Sequence, residues 1–122
     1  MTDYIKIANL LVQLQPVDWK KIVLYAQITR NSYELFFYTK IGNKYVQSFD
    51  FEQKYGITRK ELRDCFKKIY EEILPDYIEN KWYACTFILN NNGQFTTEYE
   101  YNDFSEDFLH YKEIWKDKYI HN

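Results

Sequence analysis

Two stretches near the start of the chain alternate in the manner of strands, and a glycine turn follows the second. From residue 22, Ile22, Leu24, Ala26 and Ile28 point one way, and Val23, Tyr25, Gln27 and Thr29 the other. Side chains of a strand alternate between faces with a period of two, so this is a strand and not a helix. Arg30-Asn31-Ser32 is a turn, and Tyr33 to Ile41 is a second strand rich in β-favouring aromatics (Phe36, Phe37, Tyr38). Gly42-Asn43 makes a tight hairpin turn into a third strand, read from Lys44 to about Phe51. Three strands joined by short turns form an antiparallel meander. That unit needs helices to cover it, which limits the remaining chain to a few arrangements.

Helical signals flank the meander. Thr2 and Asp3 can cap a helix to about Gln15, with Tyr4, Ile7, Ala8, Leu11 and Leu14 at helical spacing, and Pro16 stops it. Thr58 and Glu61 match a capping box, and Ile57 and Leu62 a hydrophobic staple. The helix they start buries Leu62, Phe66, Ile69 and Ile73 and is expected to end at Pro75.

Trp82 to about Asn90 reads as a fourth strand, with Trp82, Ala84, Thr86 and Ile88 opposite Tyr83, Cys85, Phe87 and Leu89. Asn91-Asn92-Gly93 turns it into a fifth strand, Gln94 to Tyr101. There Phe95, Thr97, Tyr99 and Tyr101 suit a core, while Gln94, Thr96, Glu98 and Glu100 need water, because an unpaired buried carboxylate is costly. Ser105 is expected to cap a last helix with Glu106 and Asp107 in its first turn, where acids meet the positive end of the helix dipole. Its apolar stripe is Phe108, Tyr111, Trp115 and Tyr119. The predicted fold is therefore α+β: a mostly antiparallel sheet of about five strands with three helices, in the order α-β-β-β-α-β-β-α. The helices lie mainly on one face and leave the other partly open. A chain of 122 residues without a linker or repeat reads as one domain over 1–122.

Charge is distributed unevenly. Residues 1–61 hold nine bases and six acids, a net +3, and residues 62–122 hold seven bases and twelve acids, a net −5. Five of the late acids, Glu98, Glu100, Asp103, Glu106 and Asp107, fall within ten residues that contain three aromatics and no base. A nucleic-acid binder would show a basic stripe instead, so direct nucleic-acid binding is not expected. The candidate site is this acidic run, as a grip on a basic partner.

Other chemistry is sparse. His110 has Asp107 three residues before it and Glu113 three after, the spacing of helical ion pairs, and His121 lies in a tail. Neither pairs with a cysteine at metal-ligand spacing, and the three glycines all fall at turns, so no catalytic residues, cofactor or metal are assigned. Glu98 and Glu100 lie about 7 Å apart on one strand face, which keeps open a small carboxylate-dependent hydrolase. A homodimeric adaptor burying the aromatic sheet face is a further alternative. Cys65 and Cys85 read as buried thiols of a reducing compartment. With no signal-peptide pattern and no apolar run of membrane length, a cytoplasmic protein away from the membrane is expected, as a monomer or weak dimer.

The order of motifs carries a resemblance. Pro16-x-x-Trp19 leads into an alternating strand, Phe36-Phe37-Tyr38 forms an aromatic one, and Trp82 to Phe87 opens a late hairpin. Gly93-x-Phe95 then leads to Tyr99-x-Tyr101, and Trp115 closes the series. From about Leu10 to Tyr119 this resembles the YezG-like family of bacterial antitoxin, or immunity, proteins. The resemblance implies a small cytoplasmic protein, encoded beside a secreted antibacterial toxin, that binds the cognate toxin domain, often a nuclease, and neutralises it in the producing cell. It supplies no catalytic residues and no residue-by-residue toxin contacts. Nuclease sites are basic because they hold phosphates, so an acidic plug would be complementary to one.

Overall fold

The computed structural model describes residues 1–121. Its elements are α1 (Tyr4–Val12), β1 (Trp19–Ile28), β2 (Tyr33–Ile41), β3 (Lys44–Gln47), a 3-10 turn (Ser48–Asp50), α2 (Phe51–Tyr55), α3 (Arg59–Asn80), β4 (Ala84–Asn90), β5 (Phe95–Glu100) and α4 (Phe108–Tyr119). The architecture is α+β, with one five-stranded sheet in the order β3-β2-β1-β4-β5 and every neighbouring pair antiparallel. Among the described residues four helices are present where the sequence predicted three.

β1 is central and is buried continuously from Ile22 to Ile28, because both faces of the sheet are covered there. Ile22, Leu24, Ala26 and Ile28 enter a core with Ile7 and Leu11 of α1, Phe51 of α2 and Leu62, Ile69 and Ile73 of α3. Val23 and Tyr25 enter a second core with Phe36, Tyr38 and Trp115 of α4. α1 and α3 share one face, as expected, together with the additional α2, but the last helix, α4, crosses the other, so the face expected to be partly open carries a second core. Trp115 anchors α4, with its ring edge-on to Tyr25 (5.2 Å) and Phe36 (5.5 Å) and its Nε1–H donating to Thr86 Oγ1 at 2.8 Å. Lys112 of α4 also pairs with Glu34 of β2.

The extra helix replaces the end of the third expected strand. Strict alternation would set Phe49 and Phe51 on the same face. Instead the chain coils after Gln47, leaving Phe49 63% exposed while Phe51 is fully buried edge-on against Phe37 at 5.1 Å. Ser48 Oγ, also buried, accepts the Phe37 backbone N–H at 3.2 Å. Gly56, at φ +72°, ends α2 in the left-handed conformation that glycine adopts without strain.

α3 does not stop at Pro75 but runs to Asn80. An interior proline removes one helical hydrogen bond and crowds the preceding turn, at roughly 3 kcal/mol. Tertiary contacts of the final turn offset this. The Asp76 backbone N–H donates to Thr2 Oγ1 (3.1 Å), and Asp76 Oδ2 accepts from Tyr4 OH (2.8 Å) and Trp82 Nε1 (3.0 Å). Lys81 then takes a left-handed φ of +57°, which turns Trp82 into the core of α1 and α3. Trp82 therefore lies with Cys85, Phe87 and Leu89, not with Ala84 and Ile88 as alternation alone suggested.

Candidate functional site

β4 and β5 pair so that Thr86 faces Glu98 and Ala84 faces Glu100, which sets both glutamates on the α4 face of the sheet. They line a shallow groove between β5 and α4 with Tyr111, Trp115, Lys118 and Tyr119. Lys118 Nζ lies 3.8 Å from Glu98 Oε1. Glu100 receives a long hydrogen bond from Asn102 Nδ2 at 3.4 Å. The phenols of the groove register the carboxylates. Burial, then Glu100, push Tyr111 up to about 12, and burial with the Glu98 contact raises Tyr119.

The loop after β5 is fixed by an aromatic stack. Phe104 lies face to face with Tyr111 (3.8 Å between centroids, 7° between planes) and edge-on to Phe108 at 5.5 Å. Asp103 closes the loop by accepting the Ser105 backbone N–H at 2.8 Å. Hydrogen bonds from the Ser105 side chain and backbone hold its carboxyl below the usual carboxylate range, so it stays charged. Glu106 is exposed, with no hydrogen bond or ion pair among the described residues.

The cap of the last helix is Asp107, not Ser105: Asp107 Oδ1 accepts the His110 backbone N–H at 3.0 Å, and α4 starts at Phe108 with no acid in its first turn. This also replaces the expected ion pair of His110, because Asp107 binds its backbone and not its ring. The run is therefore a continuous exposed or half-exposed surface that joins the β5 edge to the start of α4. Among the described residues only Glu98, of the five acids, has a cation within 4 Å.

Two aromatic positions of β5 and its exit behave differently. Tyr99 is half-buried, and its hydroxyl meets Tyr4 OH at 3.0 Å. Tyr101, placed in the core by alternation, is 57% exposed, because β5 ends at Glu100. Lys118 and Tyr119 were not among the predicted site residues. Tyr119 belongs to the predicted stripe of the last helix, but nothing local in the sequence brings Lys118 to a strand twenty residues earlier. Cys65 and Cys85 are buried and unpaired, as expected, and burial raises both thiols. Among the described residues no three His, Cys, Asp or Glu side chains converge as a metal site would need, and no helix is long and apolar enough to cross a membrane.

The chain is similar to Immunity protein YezG of Bacillus spizizenii, at 29% identity over 108 residues covering 82% of this chain and 67% of the relative. Immunity protein YezG of Bacillus subtilis is 28% identical over 108 residues, covering 82% and 72%. The Type VII secretion system protein EsaG of Staphylococcus aureus is 28% identical over 109 residues, covering 83% and 67%. A family model described as immunity protein YezG-like matches residues 1–122. With the whole chain matched, this protein belongs to the YezG-like family of immunity proteins.

Proposed function

We propose that this protein binds a cognate antibacterial toxin domain, a nuclease, in the cytoplasm of the producing cell and neutralises it by laying the acidic run over its basic active site. It acts as a binding protein without an enzymatic step of its own. Family membership and the immunity and secretion names of its relatives support the general role. The observation that carries the mode of binding is the run itself. Glu100, Asp103, Glu106 and Asp107 have no cation within 4 Å among the described residues, yet they sit on a strand end, a hydrogen-bonded turn and a helix cap that fix their spacing. Such a preordered anionic surface complements a site built to hold phosphates, and its field accelerates encounter with a basic partner.

The test is binding of the toxin domain encoded beside this chain, carried as an inactive variant. Replacing Glu98, Glu100 and Asp103 together by Lys is expected to weaken that binding about a hundredfold, with a single cooperative unfolding transition retained at a lower midpoint, since the Ser105 turn bond and the Lys118 pair are lost. Association of the unmodified pair should slow as ionic strength rises. Unchanged affinity in the triple variant would remove the acidic run from the interface.

A further inference from the structure

The two edges of the sheet are built differently. β3, at one edge, spans four residues, begins at Lys44 and passes directly into the 3-10 turn. Short, charged edges of this kind resist the addition of another strand. β5, at the other edge, spans six residues in unbroken register from Ala84–Glu100 to Leu89–Phe95. It contains no proline, no lysine and no bulge.

In an antiparallel pair the backbone groups of successive residues point alternately toward and away from the partner. The Asn90 N–H donates to the Gln94 carbonyl at 2.9 Å, so the even-numbered residues of β5 turn toward β4. Phe95, Thr97 and Tyr99 therefore turn their N–H and C=O outward, and among the described residues no strand lies beyond them.

Charge selects what would complete this ladder. A second copy pairing β5 antiparallel to itself would gather two Glu98 and two Glu100 side chains on one face, and like charges across a strand pair are destabilising. A strand with Lys or Arg at alternate positions would instead meet Glu98 and Glu100. Lys118 already places an ammonium 3.8 Å from Glu98. On the opposite face, Phe95 is 37% exposed, which suits an apolar residue at the intervening positions.

We infer that the free edge of β5 accepts one added strand from the toxin domain, an extended segment in which basic residues alternate with apolar ones. The inference rests on the proposed toxin binding and specifies its geometry: main-chain hydrogen bonds supply affinity, and alternate side chains supply selectivity.

The experiment is amide hydrogen exchange, read by NMR, on the protein alone and saturated with the inactive toxin domain encoded beside it. The Phe95, Thr97 and Tyr99 amides are expected to slow at least tenfold on binding. A complex that forms while these three amides exchange as before would overturn strand addition and leave toxin binding standing, and absence of any complex would overturn both. As a second measurement, Thr97→Pro removes an outward N–H that Thr97→Val keeps. The proline variant should bind at least tenfold more weakly than the valine variant, and equal binding by two folded variants would also sink the inference. Should Thr97→Pro fail to fold, the exchange measurement decides alone.

Discussion

Asp76 is the residue on which the helix past Pro75 depends, and removing its carboxylate should cost far more than neutralising it. Tyr4 OH and Trp82 Nε1 both donate to Oδ2, while Asn80 Nδ2 donates to Oδ1 at 2.7 Å. In Asp76→Ala the three donors fare differently. Tyr4 keeps the Tyr99 hydroxyl, and Asn80 is exposed and turns to water. Trp82 is 1% exposed, so its indole N–H loses its protein partner in a site closed on the Trp82 side. An orphaned buried donor costs about 1–3 kcal/mol, and hydrogen bonds to a charged acceptor contribute about 1.5–3 kcal/mol each. With the partial rescue of Tyr4 and Asn80, the total is about 3–4 kcal/mol, a large share of the roughly 5–15 kcal/mol of a typical domain.

Asp76→Asn is the informative contrast. Its amide oxygen can occupy the Oδ2 position and accept from both Tyr4 and Trp82, while its NH2 faces Asn80, which flips to present oxygen. Only the charge assistance is lost, about 1 kcal/mol. Urea denaturation followed by tryptophan fluorescence gives both values. At a slope of about 1.5–2 kcal/mol/M, Asp76→Ala should lower the midpoint by about 2 M and Asp76→Asn by about 0.5 M, without a change of slope. In a Trp82→Phe background the alanine substitution should cost at least about 1 kcal/mol less, because the donor it orphans is already gone. Equal losses for Ala and Asn, or strict additivity with Trp82→Phe, would refute the argument that this carboxylate holds the helix end through Trp82.

Two further outcomes follow from local geometry. Lys81→Gly should stabilise the protein by about 0.5 kcal/mol in the same denaturation assay: a left-handed φ of +57° costs an L-residue about 1–2 kcal/mol, and glycine's extra freedom in the unfolded chain returns only part of that. Burial pushes the Cys65 thiol from 9.0 to about 11, so the folded state keeps a proton that the unfolded chain loses first. This contribution to stability is complete below about pH 9 and declines as pH rises toward 11, and Cys65→Ser should make the decline in denaturation midpoints from pH 8 to 11 shallower by that share, while Cys85 and the buried tyrosines keep the rest.

The sequence revealed most of the sheet because alternation and turns are local signals. Residues 22–29, Gly42-Asn43 and Asn91-Asn92-Gly93 specify strands and hairpins without long-range information, and the Thr58 cap is equally local: its Oγ1 accepts the Glu61 N–H at 3.1 Å. The departures in α3 and after β3 have distant causes. α3 survives Pro75 through Thr2, Tyr4 and Trp82, residues as much as 74 positions away. The coil at Phe49 depends on a pocket beside Phe37 that exists only once β2 is in place. At the site, the strand parity of Glu98 and Glu100 was readable, but that their face lies under α4 was not, because the stripe of a helix does not say which side of the sheet it covers.

The position of α4 changes how the acidic run can act. Had the last helix joined the others, Glu98 and Glu100 would stand on an open sheet and act as bare charges. Under α4 they form one wall of a groove whose other wall supplies Lys118, Tyr111 and Tyr119. A cation brought to Glu98 must therefore compete with an ammonium already 3.8 Å away, so Glu98 adds less attraction than its charge implies. Glu100, Asp103 and Glu106 meet no such competitor, and a basic partner gains most by approaching from the loop side and then along β5. The groove exists only while α4 stays docked, through Trp115 on Thr86 and Lys112 on Glu34. The inferred strand addition at β5 is thus coupled to packing on the sheet face, and a substitution that loosens α4 should impair capture of a basic strand even when every acid is retained.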